Sequence, residues 1–153
     1  MLLALAVPGS PAAAQRTTVG VHGGWAVFRD AGPARCYAIS APQDRTPGAS
    51  ASVSAWPGRR VAGQLHLRFH RPARAGSAVV LTVDDRLFQL VARGLDAWAP
   101  SPAADRAIVA AMRTGVAMTA RARDENGGAM TFSYALNGAA TAIDAALLAC
   151  RPT

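Results

Sequence analysis

The sequence predicts a mainly β fold, a β-sandwich of about seven to eight short strands with two small helices. Three observations carry that prediction. Apolar and polar residues alternate with a period of two through several runs, 14 Gly and 10 Pro end those runs in turns, and helical spacing occurs only at about 102–113 and 139–150. At 153 residues the chain is long enough for one core, and it shows neither an internal repeat nor a second domain.

The elements follow in order. A first strand is predicted over about Val19–Arg29, with Trp25 and Val27 on one face and Ala26 and Phe28 on the other, the pattern of a strand covered on both sides. Asp30 to Pro33 turns into a second strand, Arg35–Ser40. After the Pro- and Gly-rich loop 41–50, "ASVSAW" resumes a strand and "WPGRRVAG" turns again. In the next run Leu65, Leu67 and Phe69 face one way, and Gln64, His66, Arg68 and His70 the other. "SAVVLTVDDRLFQLVA" reads as a tight hairpin with Asp84 and Asp85 at its solvated tip, and "LDAWAP" as a short extended piece. Ser101 and Pro102 open the first helix as cap and first-position proline, Ile108, Val109 and Met112 form its apolar side, and Gly115 stands in the C′ place. A last hairpin, Val116 to Leu136, turns at "DENGG" and puts Met130, Phe132, Tyr134 and Leu136 on one face. In the second helix Ala140, Ile143, Leu147 and Cys150 form one stripe.

The N-terminus sets the compartment. Leu2–Val7 is a short apolar run broken by Pro8, Gly9 and Pro11, and Ala12–Ala14 supply small residues for cleavage before Gln15. Residues 1–14 therefore read as a secretory signal, without its usual positive n-region, and 15–153 as the mature domain, periplasmic or extracellular. No later run is apolar for long enough to span a bilayer. In an oxidising compartment the two cysteines, Cys36 and Cys150, pair with each other. A metal site is the poorer reading, because no C-x-x-C spacing is present, and a catalytic thiol lacks an activating neighbour in the sequence.

No constellation for catalysis, metal or cofactor binding emerges. His66 and His70 are four apart, which chelates on a helix but separates them by roughly 13 Å on a strand. G-x-S-x-G is absent, Asp84 and Asp85 share a turn instead of facing across a cleft, and "GVHGGW" lacks the Lys of a phosphate loop.

Charge is more informative. All 16 basic residues are Arg, the net charge is +7, and no acid occurs between Asp44 and Asp84. That interval holds Arg59, Arg60, His66, Arg68, His70, Arg71 and Arg74, a candidate face for anionic lipid, lipopolysaccharide or acidic glycan, set against the alternative of a merely solvated surface. Export and the lack of interleaved stacking aromatics argue against nucleic acid.

Ordered landmarks across nearly all of the mature chain resemble the bacterial invasion-associated locus B proteins: "GGWAVF" then "RCYAIS", "VDDRLFQL" then "DAWAP", "DRAIVAAMRTGVAMT", and "FSYALNG" with "AATAIDAALLAC". The resemblance implies export, an immunoglobulin-like β-sandwich, a cysteine pair in the positions of Cys36 and Cys150, and no recognised enzymatic activity. It implies a non-enzymatic binding domain for envelope or host components. The alternatives are an envelope accessory or structural protein or an inhibitor acting through a protein partner, and a hydrolase with an unrecognised site. Two departures stand out. Asp85 takes a place the family usually gives to Gly, so a positive φ is expected there, and the Arg-rich stretch from Gln43 to Arg74 matches least.

Overall fold

A computed structural model describes residues 15–151, so the expected signal segment 1–14 lies outside the described residues. The domain is mainly β, with ten antiparallel strands and two helices. In chain order the strands are β1 (Arg16–His22), β2 (Trp25–Ala31), β3 (Ala34–Ser40), β4 (Ser50–Trp56), β5 (Val61–Arg68), β6 (Val79–Val83), β7 (Arg86–Arg93), β8 (Asp96–Trp98), β9 (Ala117–Arg123) and β10 (Ala129–Ala135). Helix α1 (Pro102–Thr114) lies between β8 and β9, and α2 (Ala139–Ala149) follows β10.

Hydrogen bonding draws one continuous sheet in the order β1-β2-β3-β4-β5-β8-β7-β6-β9-β10. Strand β7 is its hinge: residues up to Leu90 pair with β6, and Val91–Arg93 pair with β8. The two ends of the sheet come back together, since the Trp25 indole N–H donates to the Ala135 carbonyl at 2.9 Å, and Phe69, just after β5, stacks on Phe132 of β10 at 6.3 Å between centroids.

Ten strands replace the seven to eight expected. The predicted strand Val19–Arg29 is a hairpin, β1 and β2, folded at Gly23–Gly24, where the left-handed φ of Gly23 (55°) lets the chain reverse within one apolar run. A Cβ on Gly23 would strike Asn137, so the same turn seats the β10–α2 junction. Gly94 likewise turns β7 into the separate strand β8.

Helix α2 packs on β1–β4, and α1 packs on β5 beside it. The core faces them: Trp25, Val27, Ala38, Val53, Leu65 and Leu67 from the sheet, Ile108 and Met112 from α1. The predicted face of the last hairpin is buried as expected, with Met130, Phe132, Tyr134 and Leu136 each under 5% exposed. The helical stripe is shifted: Ala139, Ala142, Ile143 and Ala146 are the buried residues, while Ala140 and Leu147 are only partly covered. Small side chains let the helix approach the sheet closely, which the larger Leu147 could not do.

Three local expectations also resolve. Ser101 caps α1, its Oγ accepting from the Ala104 N–H at 3.1 Å. Gly115 ends α1 in extended backbone, so its lack of a side chain serves packing: a Cβ would meet Val83 and Leu136 at about 3 Å. At the β6–β7 tip the positive φ falls on Asp84 (52°), not Asp85. Its carboxylate accepts from the Val116 and Ala117 N–H groups, so this side chain holds the entry to β9 besides facing solvent.

Cys36 and Cys150 form the disulfide, with Cα atoms 5.7 Å apart and a sequence separation of 114. It joins the C-terminal end of α2 to the inner face of β3. Cys36→Ser and Cys150→Ser should each destabilise the domain by roughly 2–5 kcal/mol in urea unfolding, and the double mutant should be no worse than either.

Asp105 ties α1 to β5 by accepting from the Leu65 N–H at 2.8 Å, and burial raises its pKa. An acid with a raised folded pKa stabilises the fold least once ionised. Stability should therefore fall as pH rises from the ordinary Asp value of about 3.9 to the raised one. Asp105→Asn, which keeps the acceptor oxygen, should flatten that part of a Tm-versus-pH profile.

Candidate functional site

On the outer face of the sheet, away from the helices, the two-residue period of the strands assembles cross-strand rows. One row runs Arg16, Asp30, Arg35 across β1–β3. The next runs Phe28, Tyr37, Ser54, Gln64. A third runs Ile39, Ser52, His66, Trp98 and Val91. Residues from seven strands thus share one surface.

Arg35 stands at the centre of it, half-buried. Its Nε donates to Ser54 Oγ at 3.1 Å, and one terminal nitrogen donates to Ser54 Oγ at 2.9 Å and Ser52 Oγ at 3.5 Å. Its guanidinium carbon lies 4.0 Å from the Tyr37 ring centroid and 5.0 Å from that of Trp56. Arg59, on the 3₁₀ turn Pro57–Arg59 that follows β4, lies 4.9 Å from the same Trp56 ring. Trp56 is held in turn by its indole N–H, which donates to Gln64 Oε1 at 3.1 Å. Two cations therefore lie close to one indole, an arrangement favoured by the ring quadrupole.

Charge on this face is unevenly compensated. Arg16 is paired with Asp30 at 3.0 Å, which raises its pKa. Asp96 is shared by His66 at 2.8 Å and Arg68 at 3.1 Å. Arg35 makes no ion pair among the described residues, and burial lowers its pKa. A concavity of about 400 Å³ opens beside it, lined by Arg35, Ser54, Trp56, Arg59, His66 and Trp98. A second trough of about 290 Å³ lies across the Arg35–Trp56 sill, toward Arg16 and Asp30.

The residues singled out from the acid-free interval do not form one face. Arg59 and His66 line the concavity, and Arg68 lies on the same face but is paired with Asp96. Arg60, in left-handed backbone, faces a different cavity near Asp105 and Arg106. His70 lies beyond the end of β5, its ring in a T-shaped contact with Phe132 at 5.3 Å, while burial still alternates as predicted through the buried Phe69 and the exposed His70. Arg71 pairs with Asp124 at 3.2 Å, and Arg74 is bonded through its backbone N–H to Arg123, both by the β9–β10 hairpin. Among the described residues no three His, Cys, Asp or Glu side chains converge as metal ligands, and no helix is long and apolar enough to cross a membrane.

Arg35, Trp56 and Trp98 were not singled out by sequence reasoning. One signal was present: in a strand, Cys36 facing the core obliges Arg35 and Tyr37 to face outward together. The aromatic interleaving was invisible because Phe28, Tyr37, Trp56 and Trp98 come from β2, β3, β4 and β8. No protein-family model, curated protein or solved structure matches the chain.

Because Arg35 holds two buried hydroxyls and two rings, Arg35→Ala should cost about 2 kcal/mol in urea unfolding. Arg59→Ala, at an exposed rim, should stay within about 0.5 kcal/mol of the parent.

Proposed function

We propose that the chain is an exported, non-enzymatic binding domain of the invasion-associated locus B family, periplasmic or surface-associated. On this reading the hinged sheet is a form of the immunoglobulin-like sandwich, with β1–β5 and β8 as one layer and β6, β9, β10 and the first half of β7 as the other. Its ligand is an anionic component of the envelope or of a host surface, bound on the outer face of the first layer. The observation that carries the reading is Arg35: a half-buried guanidinium that makes no ion pair among the described residues, its cross-strand neighbour Asp30 being paired with Arg16, next to the exposed Arg59 and an open concavity. Removing a cation from water is unfavourable unless a counter-charge replaces the lost hydration, and an incoming anion does that. The Cys36–Cys150 bond accords with an oxidising compartment.

The mature domain should be retained on immobilised lipopolysaccharide or on phosphatidylglycerol vesicles, and retention should weaken as salt rises. Arg59→Glu should reduce retention several-fold, whereas Arg121→Ser, on the outer face of the second layer, should leave it unchanged. Salt-insensitive or absent retention on both surfaces would overturn the proposal, as would equal retention of Arg59→Glu and the parent.

A further inference from the structure

The concavity beside Arg35 carries more than a preference for negative charge. Its floor and walls are asymmetric. One end presents the guanidinium groups of Arg35 and Arg59, 5.0 and 4.9 Å from the Trp56 ring centroid. The opposite wall is Trp98, which is partly exposed and lies against the His66 ring at 5.6 Å between centroids. The indole N–H of Trp98 has no hydrogen-bond partner among the described residues, in contrast to those of Trp25 and Trp56. Ser54 and Gln64 contribute a hydroxyl and an amide between the two ends. The volume, about 400 Å³, lies in the range that holds one small ligand and is too small for a folded segment or a lipid chain.

Each feature selects a ligand property. Two guanidinium groups select an oxyanion, carboxylate or phosphate, which they recognise by directed N–H donors. A flat indole wall with a free N–H selects a body with an apolar face and hydroxyl acceptors at its edge. A bare inorganic anion uses only the first feature, and a neutral sugar only the second. Stacking on Tyr37 or Trp56 is not favoured, because those rings are already covered by Arg35, Arg16 and Arg59, which leaves Trp98 as the open ring. We infer that the concavity between Arg35, Arg59 and Trp98 binds a single anionic sugar residue, a hexose bearing a carboxylate or phosphate, with its oxyanion on the two guanidinium groups and its ring against Trp98. The inference rests on the proposed anion-binding reading and narrows it to one chemistry, shared by glycolipid headgroups and free acidic glycans.

Isothermal titration of the mature domain with glucuronate, glucose 1-phosphate, glucose, acetate and inorganic phosphate tests it. The two anionic sugars should bind at least about tenfold more tightly than glucose, acetate or phosphate. Arg59→Glu, at an exposed position, should abolish the binding of both, and Trp98→Leu should reduce them to the level of the simple anions. Vesicles carrying lipid A and soluble polygalacturonate fragments then compete for bound glucuronate, and displacement by one or the other assigns the sugar to a lipid or a free glycan. Phosphate or acetate binding as tightly as the sugars would overturn the inference while leaving the anion-binding reading standing, and so would failure of both competitors. No binding of any anion, together with no retention on anionic surfaces, would remove both.

Discussion

Everything distinctive about this domain depends on the alternation of side chains along three residues of β3. Cys36 points into the core and Arg35 and Tyr37 point out, because consecutive residues of a strand must face opposite sides of the sheet. The inward position is fully buried and covalently joined to Cys150 at the end of α2. The outward pair makes the closest cation–ring contact on the outer face, 4.0 Å. A register slip of one residue would place Arg35 in the core and Cys36 in water, so the disulfide and the outer-face cluster exclude the same error. The bond that closes the domain therefore also fixes which way its half-buried cation points.

The opposite face of β3 explains why α2 can be so plain a helix. Ala139, Ala142 and Ala146 meet a sheet that offers Ala38 and Ala51 in return. Small residues on both sides allow close approach and lasting dispersion contact, but they specify orientation weakly. Orientation comes from the ends. Gly138 starts the helix in left-handed backbone (φ 84°), where any side chain would strike His22 at the β1–β2 turn, and Cys150 ends it on β3.

The parts legible in the sequence were those whose partners lie nearby along the chain. The Ser101 cap, the β6–β7 hairpin and the buried face of β10 each depend on residues within one or two elements. The β1–β2 hairpin was lost because Val21, Trp25 and Val27 read as one apolar run across Gly23–Gly24. The stripe on α2 was misplaced by one position because hydrophobicity favours Leu147, whereas the available space favours Ala146. The outer-face cluster was least legible of all. Arg35 meets Ser52 and Ser54 from β4 and lies in a row with Arg16 from β1, and no window of sequence contains those neighbours together.

The same difference separates charge density from a binding site. With 16 Arg against 9 acids, several cations must lack a carboxylate whatever the fold. The shortage is deepened because Asp44, Asp84 and Asp105 spend acceptor oxygens on backbone N–H groups. An unpaired Arg on an exposed loop is hydrated and needs nothing more, which is the state of Arg74 beside the β9–β10 hairpin. Arg35 differs in kind. Hydroxyls and rings take up part of its surface but supply no negative charge, so its hydration is reduced without full electrostatic replacement. An acid-free interval in a sequence marks where positive charge is plentiful. Partial burial of one guanidinium without an ion pair marks where an anion gains most by arriving, and that position lies outside the interval, in the strand that also carries the disulfide.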